Sequence, residues 1–169
     1  HELGHRRPRS RSWWLSRLDL MCVLYLHFTV EHNHTHHKHW AKPRDPTSSP
    51  WKRNVYVHFI RTIPLQLMGA YRAKPKDFRY SMLVQLTLLV TLFIISPVLL
   101  GVFLLQAIVA IFLLEFVNYL QHHGLVRGDN ERPNASHAWE SRNRWSRWTL
   151  LELPLHPSHH LRSSTPYQK

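Results

Sequence analysis

The apolar run from Met82 to Leu120 constrains the fold more than any other feature of the chain. It reads MLVQLTLLVTLFIISPVLLGVFLLQAIVAIFLLEFVNYL, and it contains no lysine or arginine and one carboxylate, Glu115. As a single helix it would be roughly 58 Å long, almost twice the ~30 Å hydrocarbon core of a bilayer. We therefore predict two transmembrane helices over residues 82–120, with a break near residues 96–101, where Pro97 removes a helical hydrogen-bond donor.

The distribution of charge orients this predicted hairpin. The chain has 22 Lys+Arg against 10 Asp+Glu, and every lysine and arginine lies before residue 80 or after residue 126. By the positive-inside rule, both flanks are predicted to be cytoplasmic. The excess of positive charge indicates an anionic membrane surface or an acidic protein as partner. We expect no nucleic-acid partner, because the basic residues are interleaved with apolar spans and histidine clusters. The alternative to spanning helices is a buried helix pair in the core of a soluble protein.

A second apolar stretch, WWLSRLDLMCVLYLHF at residues 13–28, contains Arg17 and Asp19 and is marginal in length for a span. We predict a membrane-abutting or re-entrant helix there, since an odd crossing would separate the histidines on its two sides by ~30 Å. The remaining sequence is polar and is predicted to be irregular, with a proline-rich linker at residues 41–53. The expected fold is an all-α integral membrane domain over residues 1–169, with a histidine-cluster metal site on the cytoplasmic face.

Histidine makes up 15 of the 169 residues and is concentrated in short motifs. The motifs HELGH, EHNHTHH and HPSHH have spacings that bring imidazoles to one helical face, and NYLQHHGL adds a further pair at the end of the second predicted span. The single cysteine excludes metal sites built from several thiolates within the chain. HELGH alone fits the H-E-x-x-H pattern of zinc proteases, and EHNHTHH alone fits a solvated loop. Three clusters flanking one uncharged hairpin favour a shared metal site.

These motifs, together with HAWES at residues 137–141 and PYQ at residues 166–168, resemble those of the membrane-bound alkane monooxygenases. Members of that family are integral-membrane, non-haem di-iron enzymes, and xylene monooxygenase is a close relative. Fatty-acid desaturases share the three histidine boxes but lack the fourth motif with its NY and HGL. The resemblance implies a cofactor of two Fe ions and O2-dependent hydroxylation of the terminal carbon of alkanes to primary alcohols. It also implies a bacterial inner-membrane location and rubredoxin as electron donor, supplied by a rubredoxin reductase and NADH.

The same resemblance assigns the iron ligands residue by residue. They fall on His1, His5, His32, His36, His37, His122, His156, His159 and His160. The other histidines match no ligand position; they are His27, His34, His39, His58, His123 and His137. The chain departs from the family pattern at Ser158, Gln121 and Glu140, where Asp, Glu and Asn are usual. Residues expected to support the ligands by hydrogen bonding, as partners of metal-bound histidines commonly do, are Glu2, Glu31, Glu115, Asn118, Gln121 and Glu140.

Glu115 is singled out because a carboxylate inside a membrane helix is costly, and it lies seven residues before His122 on the same helical face. We predict that it supports a ligand or lines the substrate channel. Other functions remain open: a related di-iron enzyme of the xylene monooxygenase or fatty-acid desaturase/hydroxylase type, a membrane zinc protease with Glu2 as base, or a metal transporter. Because the chain begins at His1 within HELGH, we also expect an upstream region with further helices that help to wall the channel.

Overall fold

The structure is a computed structural model, and it describes residues 2–163. All regular structure in this part of the chain is helical, which confirms the predicted all-α fold. A 3₁₀ helix, Glu2–His5, is followed by α1 (Arg11–Cys22), α2 (Phe28–Glu31), a π-helical segment (His32–His36), α3 (His37–His39), α4 (Val55–Ala73), α5 (Pro75–Ile95), α6 (Pro97–His122), a second 3₁₀ helix (Ala135–His137), α7 (Arg144–Thr149) and α8 (His156–Leu161).

Helices α5 and α6 are the two elements long and apolar enough to cross a membrane. They are separated by Ser96 alone, whose extended backbone lets its side chain accept a hydrogen bond from the N–H of Leu99 at the start of α6. Only 11% of the most apolar 18-residue stretch of α5 is buried inside the protein, and only 6% of that of α6. The alternative of a buried helix pair in a soluble core therefore does not describe them.

The two long helices run antiparallel. Val84 on α5 and Ile111 on α6 both pack against a small apolar cluster that includes Leu20 and Tyr25. Outside this cluster the inward side chains of the pair are mostly polar, whereas their outward side chains are large and apolar. A water-soluble protein usually places these two classes the other way round.

Helix α4 corrects the prediction that the segment before the hairpin is irregular. Its buried positions are spaced four residues apart and are polar or small, namely His58, Thr62, Gln66 and Ala70. Its other faces carry exposed apolar side chains such as Ile60 and Leu65, with Pro64 tolerated inside the helix. The separation of polar and apolar residues onto different faces of α4 is a helical signal that the sequence interpretation missed.

The chain ahead of the histidine helices makes a short helix and a tight turn. Helix α1 ends at Cys22, before the predicted limit of residue 28, and Leu24 adopts a left-handed conformation with φ 55°. At twelve residues, α1 is about 18 Å long, which is too short to cross a bilayer. Arg17 on α1 donates to Thr29 and Ser81, which ties the helix to α2 and α5. Its contact with the membrane surface stays a prediction.

The proline-rich stretch at residues 41–53 lacks regular structure, but it is packed against the protein. Ala41 is left-handed, with φ 60°, and its backbone accepts a hydrogen bond from the N–H of Arg127. Ser49 accepts from the N–H of Gly124, whose own φ of 74° favours glycine where the chain leaves α6. These bonds hold the stretch against the segment that follows α6, and a hydrogen bond from Thr62 to the carbonyl of Pro46 joins it to the middle of α4.

Candidate metal centre

Eight of the nine predicted ligands come together as two adjacent groups of four imidazoles. Group 1 consists of His5, His32, His37 and His159, and group 2 consists of His36, His122, His156 and His160. Within each group one nitrogen from every ring lies within 4.8 Å of the others. The ninth predicted ligand, His1, lies outside the described residues. Rings of the two groups are in contact, with the His37 and His160 centroids 4.5 Å apart.

Group 1 draws its imidazoles from three separate parts of the chain. The Nε2 atom of His37 lies 3.1 Å from that of His32 and 3.0 Å from that of His159. The ring of His5, from the first 3₁₀ helix, completes the group at centroid distances of 4.6 to 4.9 Å. The first, second and third histidine motifs therefore share one group.

Group 2 includes the histidine that ends α6. The Nε2 atoms of His122 and His156 are 2.8 Å apart, and the Nε2 atom of His160 lies 3.2 Å and 3.0 Å from them. The Nε2 atom of His36 is 3.2 Å from that of His160. All four rings are buried, so this group is enclosed by protein.

The spacing of these nitrogens fits a metal ion in each group. With metal–nitrogen bonds of about 2.0–2.1 Å, neighbouring ligand nitrogens in the first coordination sphere are separated by roughly 3 Å. The Nε2 separations of 2.8 to 3.2 Å match that value. Imidazole nitrogens bind Fe, Zn, Cu and Ni alike, so the donor set fits iron without selecting it.

A π-helical segment explains how one motif serves both groups. In a π-helix the hydrogen bonds run from i to i+5, which brings residues five apart to the same face. His37 consequently lies over His32 in group 1, while His36 points to the neighbouring group. An α-helix would instead align His32 with His36. The spacing of EHNHTHH indicated one convergent face, and the structure divides that motif between two groups.

Burial keeps the imidazoles in the neutral form that binds metal. Desolvation lowers the pKa of His5 to about 4 and that of His37 to about 2. The pKa values of His32, His156 and His160 are lowered well below 6.5 for the same reason, with repulsion between neighbouring histidines adding to the shift. At neutral pH these five rings therefore offer lone pairs to a metal ion.

One of the predicted ligands, His36, is held by a carboxylate that sequence analysis did not identify. The Nδ1 atom of His36 lies 2.9 Å from Asp45, and both side chains are fully buried. Ser48 and the N–H of Thr47 donate to the same carboxylate. Burial alone would raise the pKa of Asp45, but attraction to His36 and these hydrogen bonds outweigh it and lower the pKa. A carboxylate on Nδ1 leaves Nε2 free for the metal and fixes the ring orientation.

Aromatic rings close the sides of the site. Trp40 stacks on His160 with centroids 4.2 Å apart, and it is 1% exposed. Phe28 stacks on His32 at 4.7 Å. Arg127 lies over the outer face of Trp40, 5.6 Å from the ring centroid. These rings restrict the movement of the imidazoles and keep water from their sides.

Glu115 lies in a buried hydrogen-bond network beneath the histidines. It accepts hydrogen bonds from the Tyr25 hydroxyl at 2.8 Å and from the Gln66 amide at 3.1 Å. Gln66 also donates to the hydroxyl of Thr47, the residue whose N–H holds Asp45. A chain of contacts therefore leads from α6 through α4 to the carboxylate on His36.

The other residues expected to support the ligands have different surroundings. Asn118 donates to Glu115 at 3.4 Å, and Gln121 donates to the carbonyl of Leu153, just before the third histidine motif. Glu31 is fully buried, and neither carboxylate oxygen has a hydrogen-bond partner among the described residues. Burial raises its pKa well above the usual range.

The predicted supporting roles of Glu140 and Glu2 stay predictions. Glu140 pairs with Arg142 at the surface. The backbone of Glu2 begins the first 3₁₀ helix.

The histidines that match no ligand position lie outside both groups. His34 is exposed and His39 is partly buried. His27 and His58 are buried without a described partner for either ring nitrogen. His123 packs on Tyr119, and His137 lies 3.0 Å from the carboxylate of Glu131. None of these six imidazoles belongs to a described four-histidine group.

Comparison with known proteins gives a consistent result. The family model described as fatty acid desaturase matches residues 1–169. The chain is 30% identical to alkane 1-monooxygenase of Ectopseudomonas oleovorans and 30% identical to alkane 1-monooxygenase 1 of Alcanivorax borkumensis, over 99% of its own length in both cases. It is 26% identical to the xylene/toluene monooxygenase hydroxylase component XylM of Pseudomonas putida, again over 99% of its length. The resemblance to the alkane monooxygenases is confirmed.

These relatives are longer than the chain. The alignments cover 47%, 46% and 49% of the three proteins, so the chain spans about half of their length. The shared part contains all four histidine motifs.

Proposed function

The chain belongs to the fatty acid desaturase family, and on that premise we propose that it is a membrane hydroxylase that uses O2 and two iron ions to oxidise hydrocarbons. The observation that carries the proposal is the pair of four-histidine groups, each with ligand nitrogens within 4.8 Å of one another. The names of the relatives, alkane 1-monooxygenases and a xylene/toluene monooxygenase component, supply the reaction and the substrate class.

Group 1 and group 2 would each hold one iron ion. His1, assigned by the family motif, would be the ninth ligand. When bound, the iron pair supplies the redox chemistry that activates O2 and attacks an unactivated C–H bond, which redox-inert zinc does not supply. The product of terminal oxidation of an alkane would be a primary alcohol.

The protein residues prepare the site for this chemistry. Buried imidazoles with lowered pKa values stay neutral and available for metal binding at neutral pH. Asp45 holds His36 in the tautomer that presents Nε2. Trp40 and Phe28 shield the rings from water, which would otherwise compete with an apolar substrate.

The membrane would deliver the substrate. We propose that α5 and α6 span the bilayer and that the histidine groups lie at its cytoplasmic surface, because both charged flanks adjoin the same end of the hairpin. The outward faces of both helices carry exposed apolar side chains that would contact the lipid phase. A hydrocarbon dissolved in the bilayer can thus approach the site between apolar helices without crossing water.

Electrons would come from a separate protein, since the chain has no flavin or nicotinamide motif. We propose rubredoxin in this role, reduced through its NADH-dependent reductase, with the basic surface of residues 141–147 as one docking region. Arg142 and Arg144 are exposed there beside Trp145. Turnover that is insensitive to salt, together with unchanged reduction of a charge-reversed 141–147 variant, would argue against this docking region.

Two other functions fit the structure less well. A zinc protease would use HELGH as an independent site, but His5 lies among histidines of the second and third motifs. A metal transporter would carry ligands within its spans, whereas the two groups gather at the ends of the helices. The xylene-type and desaturase-type reactions remain the alternatives nearest to the proposal, because they use the same family of sites.

The test is metal analysis of the detergent-purified protein, followed by turnover. We expect about two irons per chain and, with octane, ¹⁸O₂ and reduced rubredoxin, 1-octanol that carries one ¹⁸O atom. One zinc and no iron would overturn the proposal. Two irons with a desaturated or ring-hydroxylated product as the only product from a suitable substrate would retain the metal site and replace the reaction.

A further inference from the structure

A basic cavity lies beside the polar buried face of α4. It has a volume of about 750 Å³ and is bounded by α4 on one side and by the stretch of residues 39–50 on the other. Four arginines line it, namely Arg44, Arg53, Arg61 and Arg72. It is separate from the two histidine groups, because no member of either group lines it.

The positive charge of this cavity is not neutralised by the protein. None of the four guanidinium groups forms an ion pair with a carboxylate among residues 2–163. The one acid in the lining, Asp45, is buried and bonded to His36 and Ser48. Partial burial and repulsion by Arg61 lower the pKa of Arg53. Clustered cations that repel one another and lack a counter-charge indicate a site for an anion.

The lining is also partly apolar. Leu65 and Met68 lie on the same face of α4 as Arg61 and are 44% and 45% exposed. An inorganic anion would leave these side chains uncovered. A ligand with an anionic head and a hydrocarbon chain would satisfy both parts of the lining.

The position of the cavity suits a ligand drawn from the membrane. Tyr71, near the end of α4, packs against Phe78 near the start of α5, with ring centroids 5.7 Å apart. At the opposite end, the Tyr119 hydroxyl near the end of α6 donates to the carbonyl of Arg53. Helix α4 therefore lies across the histidine-bearing ends of the hairpin, at the level where lipid headgroups would meet the protein if α5 and α6 span the bilayer.

We propose that this cavity binds an acidic phospholipid, with the headgroup phosphate between Arg53 and Arg61 and an acyl chain along Leu65 and Met68. The proposal rests on the membrane location included in the proposed function, but not on the metal site or the reaction. A bound lipid would fill the space between α4 and the stretch that carries Asp45. Arginine suits the role because its planar guanidinium offers paired donors to phosphate oxygens.

The test is native mass spectrometry of the detergent-purified protein titrated with phosphatidylglycerol or with phosphatidylcholine of the same acyl chains. We expect at least fivefold tighter binding of phosphatidylglycerol to the wild type. In the double variant Arg53→Gln/Arg61→Gln, we expect about a tenfold loss of phosphatidylglycerol affinity. A charge-matched control, Arg7→Gln/Arg132→Gln, removes two exposed arginines outside the cavity and should change the affinity less than twofold.

Three results would overturn the proposal. Equal binding of the two lipids would remove the headgroup preference. An equal loss in the control variant would assign the effect to diffuse surface charge. Displacement of phosphatidylglycerol by inorganic phosphate, beyond that caused by chloride at the same ionic strength, would indicate a site for free phosphate. Thermal unfolding and iron content, measured on every variant, separate a lost lipid site from a misfolded protein or a failed metal proposal.

Discussion

The Nδ1 atom of His36 lies 2.9 Å from a carboxylate oxygen of Asp45, and the Nε2 atom of the same ring lies 3.2 Å from that of His160. One ring thus joins a buried carboxylate to a four-histidine group. Such a partner orients a ligand and increases its basicity. The arrangement makes Asp45 the residue outside the histidine groups with the most direct influence on them.

Asp45→Asn should weaken metal binding while leaving the fold intact, because the amide keeps the shape of the carboxylate but removes its charge. We expect a 10- to 100-fold lower affinity at group 2. The measurement is iron per chain during titration with a chelator. Asp129→Asn, at an exposed carboxylate that pairs with Lys42, is the matched control. Chelator curves that coincide for wild type and Asp45→Asn would contradict the assigned role.

Single histidine substitutions should remove one iron at a time, since the groups have separate ligands. His32→Ala should lower the iron content from about two per chain to about one, because group 1 loses its ion. His156→Ala should have the same effect through loss of the ion in group 2. His34→Ala is the control within the same motif as His32, because His34 is exposed and belongs to neither group. Elemental analysis checks all three variants. Unchanged iron content in His32→Ala or His156→Ala would exclude that residue as a ligand.

Sequence patterns predicted the long helices and the clustered histidines better than the arrangement of those histidines in space. The apolar run at residues 82–120, which lacks lysine and arginine, is too long for one membrane-spanning helix and predicts two. Helices α5 and α6 are those two helices. The histidine motifs identified the eight imidazoles that the structure brings together. Their division between two groups depends on the π-helical segment, and nothing in the spacing of His32, His36 and His37 distinguishes i+5 from i+4 alignment.

The elements that were missed are those whose role depends on distant contacts. Helix α4 separates its polar and apolar residues onto different faces, which is a helical signal, but that its polar face is turned to the interior follows only from contacts such as that between Gln66 and Glu115. Asp45 stands in a proline-rich stretch that reads as a linker, and its role follows from its distance to His36. The only sign of this role in the sequence is an acidic residue between Pro43 and Pro46, nine residues after His36. Such a pattern is not specific for a partner of a metal-binding histidine.

Glu115→Gln should reduce both stability and metal binding. The carboxylate accepts hydrogen bonds from Tyr25 and Gln66, and a glutamine side chain would turn an amide donor toward one of these donors. Leaving a buried donor unpaired costs about 1–3 kcal/mol. Because Gln66 also contacts Thr47 beside Asp45, iron affinity should fall with stability. Unfolding of the purified protein in detergent and iron analysis measure the two effects.

Tyr25→Phe provides the comparison for Glu115→Gln. It removes the hydroxyl that contacts both Glu115 and the side-chain oxygen of Gln66, but it keeps the charge of Glu115 and the hydrogen bond from Gln66 to it, so metal binding should fall less than in Glu115→Gln. A Glu115→Gln variant with wild-type stability, iron content and turnover would remove the functional role from Glu115 and leave it as an ordinary buried side chain.

His27→Leu should make the protein less sensitive to acid. The imidazole of His27 is buried, neither ring nitrogen has a partner among the described residues, and burial lowers its pKa to about 4. Between pH 6.5 and 4 the unfolded chain binds a proton at this position and the folded protein does not, so stability falls as the pH decreases through that interval. Two and a half pKa units correspond to at most about 3 kcal/mol.

The variant should match or exceed the wild type at pH 7.5, because a buried ring without hydrogen bonds is replaced by an apolar side chain. At pH 4.5 its advantage should be larger, since it lacks the group that protonates on unfolding. The measurement is unfolding of the metal-free protein by sodium dodecyl sulfate in mixed micelles, from pH 4.5 to pH 7.5. His34→Leu, at an exposed histidine in the following motif, should retain the steeper pH dependence of the wild type. If His27→Leu and the wild type lose stability in parallel over this interval, the acid sensitivity arises at other histidines, and the ligand groups with their lowered pKa values become its source.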